Sequence, residues 1–303
     1  MNELTPAITL DAPDVLPVSE WKSRAQRHKE KLSPILDPYL EKRSKQVKDP
    51  VLDFLFEYYK FRPSHLMRWS PGVNNRLSLD GSASQSDLPE ISELQVDENV
   101  AYIDHHLFPE KLKRSTRWIY DLLVKTNDSK PFFGCMGMHE WAMVYRAGQV
   151  RHSQVPLRLS DDDIAAVVES RPLLCTHFDA FRFFTDEAKP LNKNNLSRET
   201  FQDSEQPGCI HTNMDIYKWA YKRYPWISSD IMADAFLLAV DARTIDMKAS
   251  PYDLSDRGLE PIRIETEQGR KEYLKQQAEI WERGLPIRQR LIEAYEELLS
   301  VIE

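Results

Sequence analysis

The chain has 303 residues, 41% of them hydrophobic, and 48 acidic against 40 basic side chains give a formal charge of −8. That apolar content is enough for a substantial core, read as one domain, and the acidic balance disfavours a surface coated for nonspecific nucleic-acid binding. Nine glycines against nineteen prolines, with long stretches of helical periodicity, argue against a glycine-punctuated all-β chain or a dinucleotide fold.

The expected class is mostly α (α+β): a compact helical domain with a small central β element. Residues 1–18, with Pro6, Pro13 and Pro17 and no apolar periodicity, read as a flexible leader to a single globular domain over 19–303. Ser19 and Glu20 open a predicted helix through Lys31 or beyond, broken by Pro34 and Pro38. From Trp21 to Lys48 there are nine Lys/Arg against three Asp/Glu, either a solvated helix face or a phosphate-facing stripe. Lys111, Lys113, Arg114 and Arg117 form a second basic cluster.

A second helix follows Pro50, where Val51 to Tyr59 is apolar or aromatic on most of its surface and belongs in the core. The proline-bounded segment 61–71 offers Trp69 for stacking or packing. Residues 74–98 read as a polar excursion, and Pro109 precedes a helix at roughly 110–126. Met136 to Arg146 has helical spacing, whereas Val155 to Leu159 and Leu173 to Phe178 look extended and supply the small sheet. Helices are expected from Thr212 to Tyr224, from a Ser228 or Ser229 cap through about Met247, and over 267–303 with a kink or break at Gly284-Leu285-Pro286.

The chemistry concentrates between about 132 and 225. Each cysteine stands just ahead of a histidine with a carboxylate close behind: Cys135 with His139 and Glu140, Cys175 with His177 and Asp179, Cys209 with His211 and Asp215. On an extended segment His177 and Asp179 share a face, and with His211 they form an H-x-D…H set able to hold iron or zinc. The alternative is a group of hydrogen-bonded core histidines. His139-Glu140 is not a zincin motif, because Met143 stands where the second histidine is required.

Trp141 and Tyr145, four apart, make one aromatic face, and Arg182, Lys218 and Trp219 place cations and an aromatic near Asp179 and Asp215. Such a mixture holds a flat polar ring, although aromatics of this kind also serve simply as core. Glu205-Gln-Pro-Gly208 turns the chain into His211. Tyr252 and Asp253 are secondary candidates.

The blocks Gly134-Cys-Met-Gly-Met-His139-Glu-Trp-Ala-Met-Val-Tyr-Arg146, Cys175-Thr-His-Phe-Asp-Ala-Phe-Arg-Phe-Phe184, Glu205-Gln-Pro-Gly-Cys-Ile-His211 and Lys248-Ala-Ser-Pro-Tyr-Asp-Leu254 resemble a bacterial family commonly labelled 3-methyladenine DNA glycosylase. The resemblance covers nearly everything after residue 20. It implies release of alkylated purines from DNA; on physical grounds, Trp69, Trp141 or Trp219 would stack the flipped base, and Asp179 or Asp215 would stabilise positive charge on the sugar or orient water. The Leu-Pro-Gly-x-Gly hairpin of the helix–hairpin–helix glycosylases is absent, so no catalytic residue is carried over.

Two other functions stand beside it. One is a metal-dependent enzyme on a small aromatic or polar metabolite, with His177, Asp179 and His211 as ligands and His139 or Glu140 as acid/base. The other is a noncatalytic helical interaction protein whose ionisable groups form structural networks. No apolar run approaches the roughly 20 residues that span a bilayer, no secretory signal is recognisable, and three cysteines do not make a disulfide framework. The expected location is the cytoplasm, with no membrane partner.

Overall fold

The computed structural model describes residues 14–148 and 155–303. The chain is mostly helical, with a small four-stranded sheet. Strand β1 (Asp14–Leu16) leads into α1 (Val18–Ser44), then a π-helical turn (Phe54–Tyr58), α2 (Pro63–Leu66) and strands β2 (Asn75–Ser78), β3 (Leu94–Asp97) and β4 (Val100–Ile103). The remaining helices are α3 (Glu110–Asp128), α4 (Met138–Ala142), α5 (Asp161–Glu169), α6 (Phe178–Phe181), α7 (Phe201–Ser204), α8 (Ile210–Tyr221), α9 (Ser229–Ala249) and α10 (Glu267–Ile302). Among the described residues no helix is long and apolar enough to cross a membrane.

The sheet is not where alternation suggested it. Its order is β1-β2-β4-β3, with β1 parallel to β2 and the other pairings antiparallel. Part of the expected leader (Asp14–Leu16) and the polar excursion (Asn75–Ser78, Leu94–Asp97) therefore supply the strands. They form because a few apolar residues suffice to cover α1: Leu16, Trp21, Leu77 and Ala101 pack in one small cluster with Trp69. The segments 155–159 and 173–178 contribute only isolated bridges, Leu157 to Tyr252 and Leu173 to Asn192.

Proline did not end two helices. In α1, Pro34 and Pro38 are exposed, while Leu32, Leu36 and Tyr39 are buried. Spaced four apart, both prolines fall on the solvent face, where water can satisfy the carbonyls left without a donor. In α10 the helix likewise runs on through Pro286, also exposed. Gly284 is instead a packing residue, since a Cβ there would lie 2.3 Å from Asn213 Oδ1 on α8.

Helix α8 lies at the centre. Every residue from Ile210 to Ala220 is buried, as expected for a helix enclosed by others; here α9 and α10 pack against it. One core cluster joins α1, α3, α8, α9 and α10, and a second surrounds α4 and α5. Residues of α4 and α6 on one side and α8 and α9 on the other meet at a common cavity.

Candidate functional site

His211, Asp215 and Lys218 lie four and three apart and so share one face of α8. A buried helix carrying such a stripe must find partners for it, because unpaired charge away from water costs several kcal/mol. Asp215 accepts from Tyr59 Oη at 2.7 Å and from Lys218 Nζ at 2.7 Å. Lys218 also donates to Asp179 at 2.8 Å, and Arg182 lies 3.4 Å from the same carboxylate.

Asp179 is in the first turn of α6, with His177 at the helix start. The expected strand is therefore a turn, yet the two side chains still converge. His177 Nδ1 sits 2.8 and 3.0 Å from the two Glu205 oxygens, and its Nε2 lies 4.0 Å from Asp215. Thr212 donates to Glu205 as well.

On the opposite wall, Met136 and Gly137 both have positive φ, 48° and 77°. Glycine adopts that conformation without strain, whereas Met136 stores some. The bend delivers α4 with His139 and Glu140 buried. His139 Nε2 is 2.5 Å from Asp246 Oδ1, and Cys135 Sγ is 3.4 Å from its Nδ1. Arg243, one turn before Asp246 on α9, donates to Glu140 at 2.7 Å and to Asp246.

The three histidines meet at His211. Its ring stands edge-on to His139 with centroids 4.4 Å apart and lies nearly parallel to His177 at 5.2 Å. It makes no hydrogen bond among the described residues, the closest carboxylate being Asp246 at 3.9 Å.

These neighbours separate the three titrations. Burial pushes each imidazole down, but Asp246 and Cys135 raise His139 well above its ordinary value, and Glu205 raises His177. His211 is driven well below, by burial and then by the positive charge of His139 and His177. Asp179 is held below the usual carboxylate range despite burial, chiefly by Lys218. A hydrogen bond from Cys175 and the charge of His139 pull Cys135 down, while the same thiol pairing and burial push Cys175 up. Cys135, Cys175 and Cys209 are all free thiols.

The cavity these residues enclose has a volume of about 250 Å³. Asp179, Asp215, Glu140, His177 and His211 line it, and Phe54, Tyr58, Tyr59 and Phe183 form an aromatic wall. Phe54 and Tyr58 stack at 4.8 Å, both from the π-helical turn, a feature often found at functional sites. Lys48, Asp53, Glu57 and Arg257 contribute charges of both signs to the lining.

Of the predicted residues, His139 stands directly behind His211, and Arg182, Lys218 and Trp219 line a neighbouring cleft that shares Asp179. Tyr252 reaches the cavity, whereas Asp253 bonds its own loop through Ser255. Trp69, Trp141 and Tyr145 do not line either cavity. Trp69 donates to Asp230, Trp141 to the Ala249 carbonyl and Tyr145 to Glu169, each fixed in packing elsewhere.

Among the described residues three groups of potential metal ligands each hold their ligand atoms within 4.8 Å of one another: His139/His211/Asp246 and His177/Asp179/Asp215 here, and Asp104/His105/His106 outside both cavities. The expected trio is thus divided: His211 groups with α4 and α9, not with His177 and Asp179. Sequence reasoning missed Asp246, Arg243, Glu205 and the aromatic wall. Arg243 and Asp246, opposite charges three apart and so on one face of α9, were the available signal. Comparison with protein-family models, with curated proteins and with solved structures found no match.

Proposed function

We propose that the protein is a base N-glycosylase that releases alkylated purines such as 3-methyladenine. The observation that carries this reading is the convergence of Asp179, Asp215 and the neutral His211 on one small, aromatic-walled cavity. Its roughly 250 Å³ falls below the usual range for drug-sized ligands and suits one planar ring system. A flipped base would stack against Phe54 and Tyr58.

Cleavage of an N-glycosidic bond develops positive charge on the sugar, which a fixed carboxylate stabilises without having to reorganise. Asp179 and Asp215 supply that charge, oriented by Lys218 and Tyr59. The free imidazole of His211 takes the proton of the attacking water. DNA is the partner, and the free thiols suit a reducing cytoplasm.

The test is base release from alkylated duplex DNA by the purified protein, with Asp179→Asn and Asp215→Asn assayed separately. Each substitution should lower the rate by at least about 10²-fold. Absence of base release together with absence of salt-sensitive DNA binding would remove the proposal.

A second reading is favoured by the His139/His211/Asp246 set, whose two imidazoles and one carboxylate match a non-haem iron or zinc donor set. Such an ion would supply Lewis acidity to a small polar metabolite, with Glu140 beside it as acid/base. Its binding would have to displace the His139 to Asp246 hydrogen bond and compete with Arg243 for Asp246. Elemental analysis of protein purified without an affinity tag separates the readings: stoichiometric metal lost in His211→Ala supports the second.

A further inference from the structure

Beside the catalytic cavity lies a second, larger cleft of about 960 Å³, and Asp179 borders both. Its lining contains five cations, Arg182, Arg198, Lys218, Lys222 and Arg223, against one carboxylate, Asp179. That carboxylate is already engaged by Lys218 and Arg182.

Among the described residues the remaining cations form no ion pair, although Asp215 and Asp179 act on Lys222, and Glu199 on Arg198, at longer range. Arg223 is buried, 3% exposed, yet donates only to neutral acceptors: Thr116 Oγ1 at 2.7 Å, Ser115 Oγ at 2.7 Å and the Lys222 carbonyl at 2.9 Å. Lys222 Nζ lies 4.9 Å over the Trp219 ring, and among the described residues neither Lys222 nor Arg198 forms an ion pair. A guanidinium removed from water without a counter-charge is costly, and an anion bound in the cleft would offset that cost.

The cleft also has an aromatic surface. Trp118, 38% exposed, stands edge-on to Trp219 at 6.0 Å. Arginine and lysine in one cleft with a partly exposed indole can recognise a charged group joined to a flat ring.

We propose that this second cleft binds a phosphate ester carried on an aromatic base, with the phosphate among Arg198, Lys222 and Arg223 and the ring against Trp118. The site goes beyond the N-glycosylase reading and stands on its own charge balance. The ester comes either from a free nucleotide or from a nucleic-acid strand, since both present the same phosphate and base. In a strand, a nucleotide held here would neighbour the base entering the cavity across Asp179.

The experiment follows tryptophan fluorescence and calorimetric heat as the full chain is titrated with adenosine 5′-monophosphate, a short single-stranded oligonucleotide, inorganic phosphate and adenosine. The first two should bind, more weakly as salt rises, and adenosine should not. Tighter binding of the oligonucleotide identifies a strand as the source; equal or weaker binding identifies the free nucleotide. The double variant Arg198→Gln/Lys222→Gln alters two exposed side chains, and circular dichroism checks that it is folded. It should bind at least about tenfold more weakly, a change of 1.4 kcal/mol or more. Trp118→Ala should weaken the nucleotide but leave any binding of inorganic phosphate unchanged. The proposal is overturned if neither phosphate ester binds, if adenosine binds equally well, or if the double variant retains wild-type affinity. Nucleotide binding without base release would defeat the glycosylase reading and leave this site standing.

Discussion

Burial drives His211 toward its neutral form, and its two histidine neighbours add to the effect: with His139 and His177 both raised, a third positive charge 4 to 5 Å away is disfavoured. If His211 is the general base, the acid limb of the rate profile for base release must fall well below pH 6.5, its ordinary value. His211→Ala should lower the rate by about 10² to 10⁴-fold. A limb at or above 6.5 would assign the base elsewhere. His177 behaves oppositely: its folded value is raised above 6.5, so its stabilisation is full below 6.5 and is lost as pH rises through the folded value. Denaturant titration of His177→Gln should therefore show a loss of about 2 kcal/mol near pH 6 that shrinks toward pH 9. A difference independent of pH would refute the assignment of charge. The histidine and aspartate candidates were legible because such groups are rarely buried without purpose. Their grouping was not, since Asp246 reaches His139 across 107 positions of chain. Trp141 and Tyr145 satisfied helical spacing and still turned inward, because spacing names a face and not what that face meets.

Helices were the most readable elements, as α3, α8, α9 and α10 all lie close to the spans expected for them. Proline punctuation misled where the ring lies on a solvent-facing stripe, as at Pro34, Pro38 and Pro286, because exposed carbonyls need no intrahelical donor. The sheet was hidden for the converse reason: its strands are three or four residues long, too short to establish an alternation. Gly284 shows what the apparent break at 284–286 is for. It lets α10 approach α8 so that Arg288 donates to Asn213 Oδ1 at 2.8 Å, while Asn213 holds the carbonyls of Pro207 and Cys209 ahead of His211. Gly284→Ala gains roughly 1 kcal/mol in helix propensity but forces a methyl group into that contact, and overpacking costs about 1–3 kcal/mol. A net loss of stability is expected on chemical denaturation, with slower base release because α8 shifts. An unchanged or raised midpoint would show that the two helices have room to spare.

Across the whole molecule, a net charge of −8 coexists with a cleft whose lining is strongly positive. Total charge decides solubility and nonspecific attraction, whereas a ligand meets the local field. Helix α3, which carries the second basic cluster, contributes Leu112, Ser115 and Trp118 to that cleft, and Lys48 at the end of the first basic stretch lines the smaller cavity. Both basic runs thus end near the candidate site, although most of their charges face solvent or pair locally, as Lys113 does with Glu110 and Arg117 with Glu303. The most direct test of the account is single-turnover release of 3-methyladenine from alkylated duplex DNA by the full chain, in the presence of a strong chelator, with Asp179→Asn alongside. The account predicts release that the chelator does not slow and that falls at least about 10²-fold in the variant. No release, or release at the same rate from Asp179→Asn, would contradict it.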